Sequence, residues 1–385
     1  MKTVTVLGCT GSIGCSTVDL LHQSGDDVAV RVLVGGRNVA LLAEQAKALR
    51  AEQAVIADEA LLPELKSLLA GTDVKASGGR AAVIEAAGVP ADWTMAAITG
   101  AAGLEPTLAA VKNGRTVALA NKEALVCAGD VMLRAVKDAN ATLLPVDSEH
   151  NAVFQAMADR QEDQVEKIIL TASGGPFRTS TLEQMEAASP AQALKHPTWS
   201  MGAKISIDSA SMFNKGLEVI EAARIFGLTE DRIDVLVHPQ SVVHGMVQYT
   251  DGSLIAQMGS ADMRIPIAHC LAWPKRMATT SPRLDLATFG TLVFEAPDPV
   301  RFPALRLARQ ALRDGGAAST ILSAANEVAV EAFLNNRIGF LDIPRIVEAV
   351  MTALGAPAIN DLDAVLHWDS EARRAAEERV LKRAA

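Results

Sequence analysis

Over roughly its first 150 residues the sequence alternates short β-branched runs with helix-length stretches. Val4 to Leu7, Val28 to Val34, Val55 to Ala57, Val74 to Ala76, Met95 to Thr99, Val117 to Ala120 and Ala141 to Val146 read as strands. Ser12 to His22, Val39 to Leu49, Leu61 to Leu69, Ala81 to Ala87, Leu104 to Lys112 and Ala124 to Ala139 read as the helices between them. Strand–helix repetition with short connections predicts a parallel sheet covered by helices on both faces.

The first turn of that sheet carries V-T-V-L-G-C-T-G-S-I-G, with Gly8, Gly11 and Gly14 between a strand and a helix. Glycines there allow a tight turn and close approach of a phosphate, and the helix N-terminus offers free N–H donors. The alternative is a tight turn with no ligand. The context of first strand and first helix favours a dinucleotide site. After the second strand an NAD site usually has an acid. This chain has Gly36, Arg37 and Asn38 instead, and an arginine suits the 2′-phosphate of NADP. The plain alternative for Arg37 is a solvated loop side chain.

The middle of the chain loses the alternation. Glu166 to Thr171 and Asp234 to Pro239 read as strands, and Val242 to Tyr249 and Ser253 to Met258 flank T-D-G, a hairpin signal. Trp273 to Pro303 is rich in proline, serine and threonine and reads as a linker. Beyond it, Leu305 to Leu312, Ser319 to Leu334, Ile346 to Leu354 and about Ser370 to Arg383 read as helices. The expected fold class is α/β: an N-terminal Rossmann-like parallel sheet over 1–147, an α+β domain with a mostly antiparallel sheet over 148–272, a linker over 273–300 and a C-terminal helical bundle over 301–385.

Charge and cysteine usage narrow the setting. A net charge of −9 over 385 residues gives no footprint for nucleic acid or anionic membrane, so an anionic ligand needs a local basic or amide-rich pocket. Cys9, Cys15, Cys127 and Cys270 form no C-x-x-C pair, and few scattered cysteines fit a reducing compartment. The start, M-K-T-V-T-V-L-G, runs directly into a strand pattern, and no segment reaches the roughly 20 apolar residues of a membrane span. The expectation is a soluble, cytoplasmic protein.

Four stretches stand out from the apolar frame. P-V-D-S-E-H places Asp147 and Glu149 at a strand end, two residues apart and on the same side if the backbone is extended. Paired carboxylates repel, which either raises one pKa or recruits a cation, and oxygen ligands suit Mg²⁺ or Mn²⁺. The motif alone nevertheless favours a solvated strand end. Ser209, Ser211, Asn214 and Lys215 gather hydroxyls, an amide and an ammonium at the start of a helix read as Gly216 to Phe226. That combination suits an anion better than capping does. Glu218 follows Lys215 on an adjacent part of the face and offers a third carboxylate. T-A-S-G-G-P-F-R, with Ser173, Gly174 and Gly175 after a strand, is either a backbone nest for an anion or a plain turn. In K-H-P-T-W-S-M-G-A-K, Trp199 and Met201 either anchor a loop in the core, the plainer reading, or form a lid.

Taken together, G-C-T-G-S-I-G, A-L-A-N-K-E-A-L-V, P-V-D-S-E-H, T-A-S-G-G-P-F, H-P-T-W-S-M-G, S-M-F-N-K-G-L-E and V-H-P-Q-S-V-V-H closely resemble the 1-deoxy-D-xylulose 5-phosphate reductoisomerase family, in order and over essentially the whole chain. The resemblance implies an NADPH- and metal-dependent enzyme that rearranges and reduces a phosphorylated ketose, an early step toward isoprenoid precursors. It implies metal ligands Asp147, Glu149 and Glu218 for one Mg²⁺ or Mn²⁺ per active site. Ser173, Ser209, Asn214 and Lys215 would hold the substrate phosphate, and Lys122 and Ser148 its oxygenated carbons. His196 to Gly202 would form a flap, with His196, Trp199 and Met201 at the substrate. Thr10, Gly11, Ser12, Ile13, Gly36, Arg37, Asn38, Asn121, Glu123 and Gly202 would meet NADPH. A homodimer is implied, with cofactor binding in 1–147 and catalysis and dimerisation in 148–272. Cys9 stands where serine is commoner, and Thr99 replaces a more usual apolar residue. Rival readings are an NADP-dependent reductase of another phosphorylated aldehyde, which needs no acid triad, and a non-enzymatic NADP-binding regulator, which needs neither triad nor phosphate pocket.

Overall fold

Seven strands of the N-terminal region form one parallel sheet, in the spatial order β4-β3-β2-β1-β5-β6-β7. They are β1 (Lys2–Leu7), β2 (Val28–Gly35), β3 (Gln53–Ile56), β4 (Lys75–Gly78), β5 (Trp93–Ala96), β6 (Thr116–Leu119) and β7 (Thr142–Pro145). Helices Ser12–Ser24, Val39–Ala48, Leu62–Leu68, Arg80–Ala87 and Leu104–Val111 connect the strands. Central strands read as continuous apolar runs because both of their faces are covered; β5 and the last four residues of β1 are buried throughout. The strand order reverses between β1 and β5, and the crevice beyond the carboxyl ends there is where open sheets of this kind bind ligands.

The computed structural model describes residues 1–157, 162–199 and 202–384. Compactness divides the chain into two units. The first comprises Met1–Ala124, Met132–Asn151 and Asp262–Ser281 and contains the parallel sheet. The helix Arg264–Ala272 belongs to it: Trp93 Nε1 donates to the Cys270 carbonyl at 3.0 Å and Lys2 Nζ to that of Leu271 at 2.7 Å. This departs from the segmental reading, which grouped those residues with the middle of the chain.

The second unit, Leu125–Val131, Ala152–Ala261 and Pro282–Ala385, holds a four-stranded sheet in the order β11-β10-β8-β9. Its strands are β8 (Val165–Ala172), β9 (Ile233–Val237), β10 (Val243–Tyr249) and β11 (Leu254–Met258). β10 pairs antiparallel with both β8 and β11, while β8 and β9 run parallel, so the sheet is mostly antiparallel, as expected. Helices Ala304–Asp314, Ala318–Leu334, Asp342–Leu354 and Leu362–Ala384 share one apolar core with this sheet and with the helix Phe213–Phe226. The contact between Phe213–Phe226 and Ala304–Asp314 is close: a Cβ on Gly216 would lie 3.1 Å from the Ala304 carbonyl. The last helix begins earlier than its charge pattern predicts, because Asp361 accepts from the Ala364 N–H at 2.8 Å and starts it there.

The glycine turn after β1 shows why small residues are required. Gly8 has φ +88°, and a Cβ there would stand 2.6 Å from the Ala97 carbonyl. A Cβ on Gly14 would stand 2.1 Å from the Gly8 carbonyl. Gly14→Ala is therefore expected to lower unfolding stability by about 1–3 kcal/mol through overpacking. An unchanged midpoint in urea denaturation would show that the turn has slack.

Candidate active site

In the first unit the glycine loop follows β1 and the Asp147–Glu149 acids follow β7, at the carboxyl ends of strands of one parallel sheet. Gly11 and Ser12 are exposed at the N-terminus of the 13-residue helix Ser12–Ser24, whose first N–H groups are available to an anion. Thr10 and Ile13 are partly buried beside them. Gly36, Arg37 and Asn38 follow β2 and are exposed. The Arg37 side chain is 85% accessible, with Asp58 as a partner at 3.2 Å, so its guanidinium can be redirected to a ligand. Asn38 also caps a helix, accepting from the Leu41 N–H at 3.2 Å. Asn121 has a structural commitment that the sequence did not reveal. Its amide donates to the carbonyls of Ile98 and Gly100 and accepts from the Ala124 N–H, tying the loop after β5 to the start of the helix Glu123–Ala139. Glu123 is buried in the first turn of that helix.

The acid motif corrects one expectation. Asp147 and Glu149 do not lie on extended backbone. β7 stops at Pro145, and a helix, Ser148–Ala156, begins at once; the Asn151 N–H donates to the Asp147 carbonyl at 2.8 Å. The strand end closes into a first helical turn because Asn151, fully buried, also donates through its side chain to the Pro145 carbonyl at 2.8 Å. Glu149 thus sits in that first turn, and Ser148 Oγ donates to its Oε2 at 2.5 Å. Lys122 Nζ stands 2.7 Å from Asp147 Oδ2, both side chains being little exposed. Burial by itself would push the Asp147 carboxyl up. The Lys122 ammonium, with His150 beside it, outweighs burial and holds the group well below the usual carboxylate range. His150 is fully buried with Nδ1 3.9 Å from Asp147 Oδ1, so it supports the acid from within the helix.

The second unit assembles the anion motifs. Ser209 lies in the last turn of the helix Ala203–Ala210, rather than in a loop before the next helix. Met212, at φ 64°, makes the left-handed joint after which the helix Phe213–Phe226 starts, three residues earlier than its apolar pattern suggests. Asn214 and Lys215 occupy its first turn, and both donate to the carboxylate of Glu218. Lys215 and Glu218 are buried, 3% and 1% exposed, so the carboxylate is matched away from water by an ammonium and an amide. Ser211 does not join this group: its hydroxyl donates back to the Ile207 carbonyl at 2.9 Å.

The Ser173–Gly175 turn packs directly on this joint. Gly174 and Gly175 have φ of 82° and 64°, and a Cβ on Gly175 would stand 2.9 Å from the Ser209 carbonyl. Ser173 Oγ accepts from the Gly175 N–H at 3.1 Å and lies 2.9 Å from His196 Nε2. His196 Nδ1 accepts from the backbone N–H groups of Thr198 and Trp199, at 3.2 and 2.9 Å, so the proton of the neutral ring sits on Nε2 and is donated to Ser173. With two donors directed at its oxygen, Ser173 has its own hydroxyl proton left to give to an anion. Trp199 is partly buried and tilts against the buried His244 ring, with centroids 6.0 Å apart, which excludes a place deep in the core. His244 was not singled out in the sequence; its signal is the second histidine of V-H-P-Q-S-V-V-H, placed on β10. Gly202 caps the helix that carries Ser209. Met201, expected in the flap, lies outside the described residues.

The parallel sheet with its glycine turn defines a class of fold, that of the dinucleotide-type α/β oxidoreductases. Comparison with known proteins gives the family. Family models described as 1-deoxy-D-xylulose 5-phosphate reductoisomerase, its C-terminal domain, and DXP reductoisomerase C-terminal domain match residues 4–129, 143–226 and 258–375. The chain is 69% identical over 382 residues to 1-deoxy-D-xylulose 5-phosphate reductoisomerase of Gluconobacter oxydans, covering 99% of this chain and 94% of that one. The solved structure of the Zymomonas mobilis enzyme in complex with NADPH superposes with a TM-score of 0.94 at 52% identity, covering 98% and 99% of the two chains. A DOX-P reductoisomerase in complex with NADPH, fosmidomycin and magnesium superposes with a TM-score of 0.93 at 40% identity, covering 99% and 98%. The chain belongs to the 1-deoxy-D-xylulose 5-phosphate reductoisomerase family.

Burial lowers the His196 pKa from its ordinary 6.5. The bonds that its neutral ring makes are therefore fully present above about pH 6.5 and are lost as pH falls through the lower folded value. A nuclear magnetic resonance titration of His196 is expected to show a midpoint below 6.5, with faster amide exchange at Thr198 and Trp199 as the ring protonates. A midpoint at or above that value would show that burial does not hold the ring neutral.

Proposed function

We propose that this chain converts 1-deoxy-D-xylulose 5-phosphate to 2-C-methyl-D-erythritol 4-phosphate, using NADPH and one divalent cation, as an early step in isoprenoid precursor synthesis. The observation that carries this reading is family membership over 99% of the chain, at 69% identity to one relative. The reaction is a retro-aldol/aldol rearrangement of the ketose phosphate followed by reduction of the resulting aldehyde.

In this reading Asp147, Glu149 and Glu218 hold the cation. The donor set fits: carboxylate oxygens are the ligands of Mg²⁺ and Mn²⁺, and Asp147 is held ionised. Thr10, Gly11, Ser12, Ile13, Gly36, Arg37, Asn38, Asn121, Glu123 and Gly202 hold NADPH; exposed N–H groups at the glycine loop and an accessible Arg37 support this. When bound, NADPH supplies a hydride and the cation stabilises negative charge on substrate oxygens. Ser173, Ser209, Asn214 and Lys215 bind the phosphate, whose binding energy orients the reacting carbons without taking part in the bond changes. Lys122 and Ser148 meet the oxygenated carbons. His196 fixes the loop through its ring nitrogens, and Trp199 and Met201 close over the substrate and exclude water.

The chain acts as a homodimer in this reading. β11 forms an edge of the second sheet with Leu254 and Ile255 exposed on it, and an unpaired apolar edge is a pairing surface. The four cysteines form no disulfide, which supports a reducing, cytoplasmic setting, and no helix among the described residues is long and apolar enough to cross a membrane.

The direct test is NADPH oxidation with 1-deoxy-D-xylulose 5-phosphate, with and without Mg²⁺ or Mn²⁺. Turnover is expected with metal, and its absence there would overturn the assignment. Glu218→Gln is expected to leave NADPH affinity unchanged and to lower metal-dependent turnover on the order of 100-fold or more. Full activity would remove Glu218 from the ligand set. Arg37→Glu is expected to weaken NADPH about tenfold or more while sparing NADH. An unchanged cofactor preference would show that Arg37 does not read the 2′-phosphate.

A further inference from the structure

The helix that presents Ser209 is anchored from behind by a residue far along the chain. Asp208, next to Ser209, is 1% exposed. Its Oδ1 accepts from Asn326 Nδ2 at 2.7 Å, and its Oδ2 stands 2.9 Å from Lys204 Nζ, one turn earlier. Asn326 is fully buried in the helix Ala318–Leu334, most of whose buried residues are apolar. Its Oδ1 has no hydrogen-bond partner among the described residues. A half-satisfied amide in an apolar helix is costly, and the bond that offsets this cost is the charge-assisted one to Asp208.

That bond acts on a joint with little slack. On the other side of the same turn, the Gly175 Cα packs so closely that a Cβ would stand 2.9 Å from the Ser209 carbonyl and 3.0 Å from the Ala210 Cα. The Ser211 hydroxyl ties the helix end to the carbonyls of Ile207 and Asp208, at 2.9 and 3.3 Å. The chain then reverses at the left-handed Met212, so a tilt of Ala203–Ala210 would move Ser209 relative to both the Ser173 nest and Asn214–Lys215.

We propose that Asp208 and Asn326 are a positioning pair that sets Ser209 in the phosphate pocket, so that a helix of the C-terminal bundle tunes affinity for the phosphorylated end of the substrate. This rests on the reading of Ser209 as a phosphate ligand. Neither residue touches the substrate; both act through the seat of Ser209.

The test uses inorganic phosphate as a competitor of 1-deoxy-D-xylulose 5-phosphate in the full-length enzyme with NADPH and Mg²⁺. Asn326→Ala is expected to raise the phosphate inhibition constant and the substrate KM about tenfold, with NADPH affinity unchanged. The exchanged pair Asp208→Asn with Asn326→Asp restores a donor–acceptor bond of the opposite sense and is expected to recover most of that loss. Ser209→Ala is the control for the underlying reading. If Ser209→Ala weakens phosphate inhibition and Asn326→Ala does not, the positioning pair is overturned. If Ser209→Ala leaves phosphate inhibition unchanged, the phosphate-pocket reading fails, and this proposal with it. A parallel rise in the NADPH dissociation constant of Asn326→Ala would mark a general loss of structure and also overturn the proposal. Should Asn326→Ala fail to fold, Asn326→Ser and the exchanged pair provide the same readouts.

Discussion

An ionised carboxylate taken out of water has to be matched by a positive partner, and both units are organised around that requirement. The penalty for burying an ion is on the order of several kcal/mol after relaxation, so Asp147 and Glu218 are each placed together with a positive group. In the first unit Asp147 lies against Lys122, with His150 behind it. In the second Glu218 lies against Lys215 and Asn214. The turns that deliver these groups follow from the pairing: the closure of the chain after β7, capped by Asn151, and the left-handed joint at Met212. A carboxylate held ionised, as Asp147 is, suits a hard cation, and lysines beside carboxylates are suited to anionic oxygens.

Close backbone approach is the second organising constraint. At Gly8 and Gly14 it lets a helix N-terminus sit directly over the end of β1, leaving the exposed N–H groups of the first turn for a phosphate. At Gly174 and Gly175 it lets the nest after β8 rest on the backbone of Ser209 and Ala210. In both places the absent side chain is what brings two donors of different origin to one surface. Ser173 shows the result: an oxygen already receiving two hydrogen bonds, with its proton available.

Much of the fold was legible because periodicity reports burial. The continuous apolar runs of β1 and β5 and the T-D-G hairpin of β10 and β11 follow from local pattern alone. Boundaries were less legible where tertiary bonds set them. The helix at Ser148 begins where Asn151 reaches back to Pro145, and the last helix begins where Asp361 caps it. Ser209, Asn214, Lys215 and Glu218 were visible as polar residues against an apolar background. The roles of Asn121, His244, Asp208 and Asn326 were not, because each depends on a partner that the sequence does not place nearby.

By itself, then, the sequence determined most of the element types, the glycine loop, which acids and polar residues are candidates for a site, and the family they resemble. These follow from residue chemistry and short-range spacing. The tertiary structure alone decided which of those groups are charged, which proton is free and what holds each in place. Lys122 and Asp147 are 25 residues apart, and Asp208 and Asn326 are 118 apart. Electrostatic pairing and hydrogen-bond direction depend on distances of a few ångströms, which chain separation does not encode.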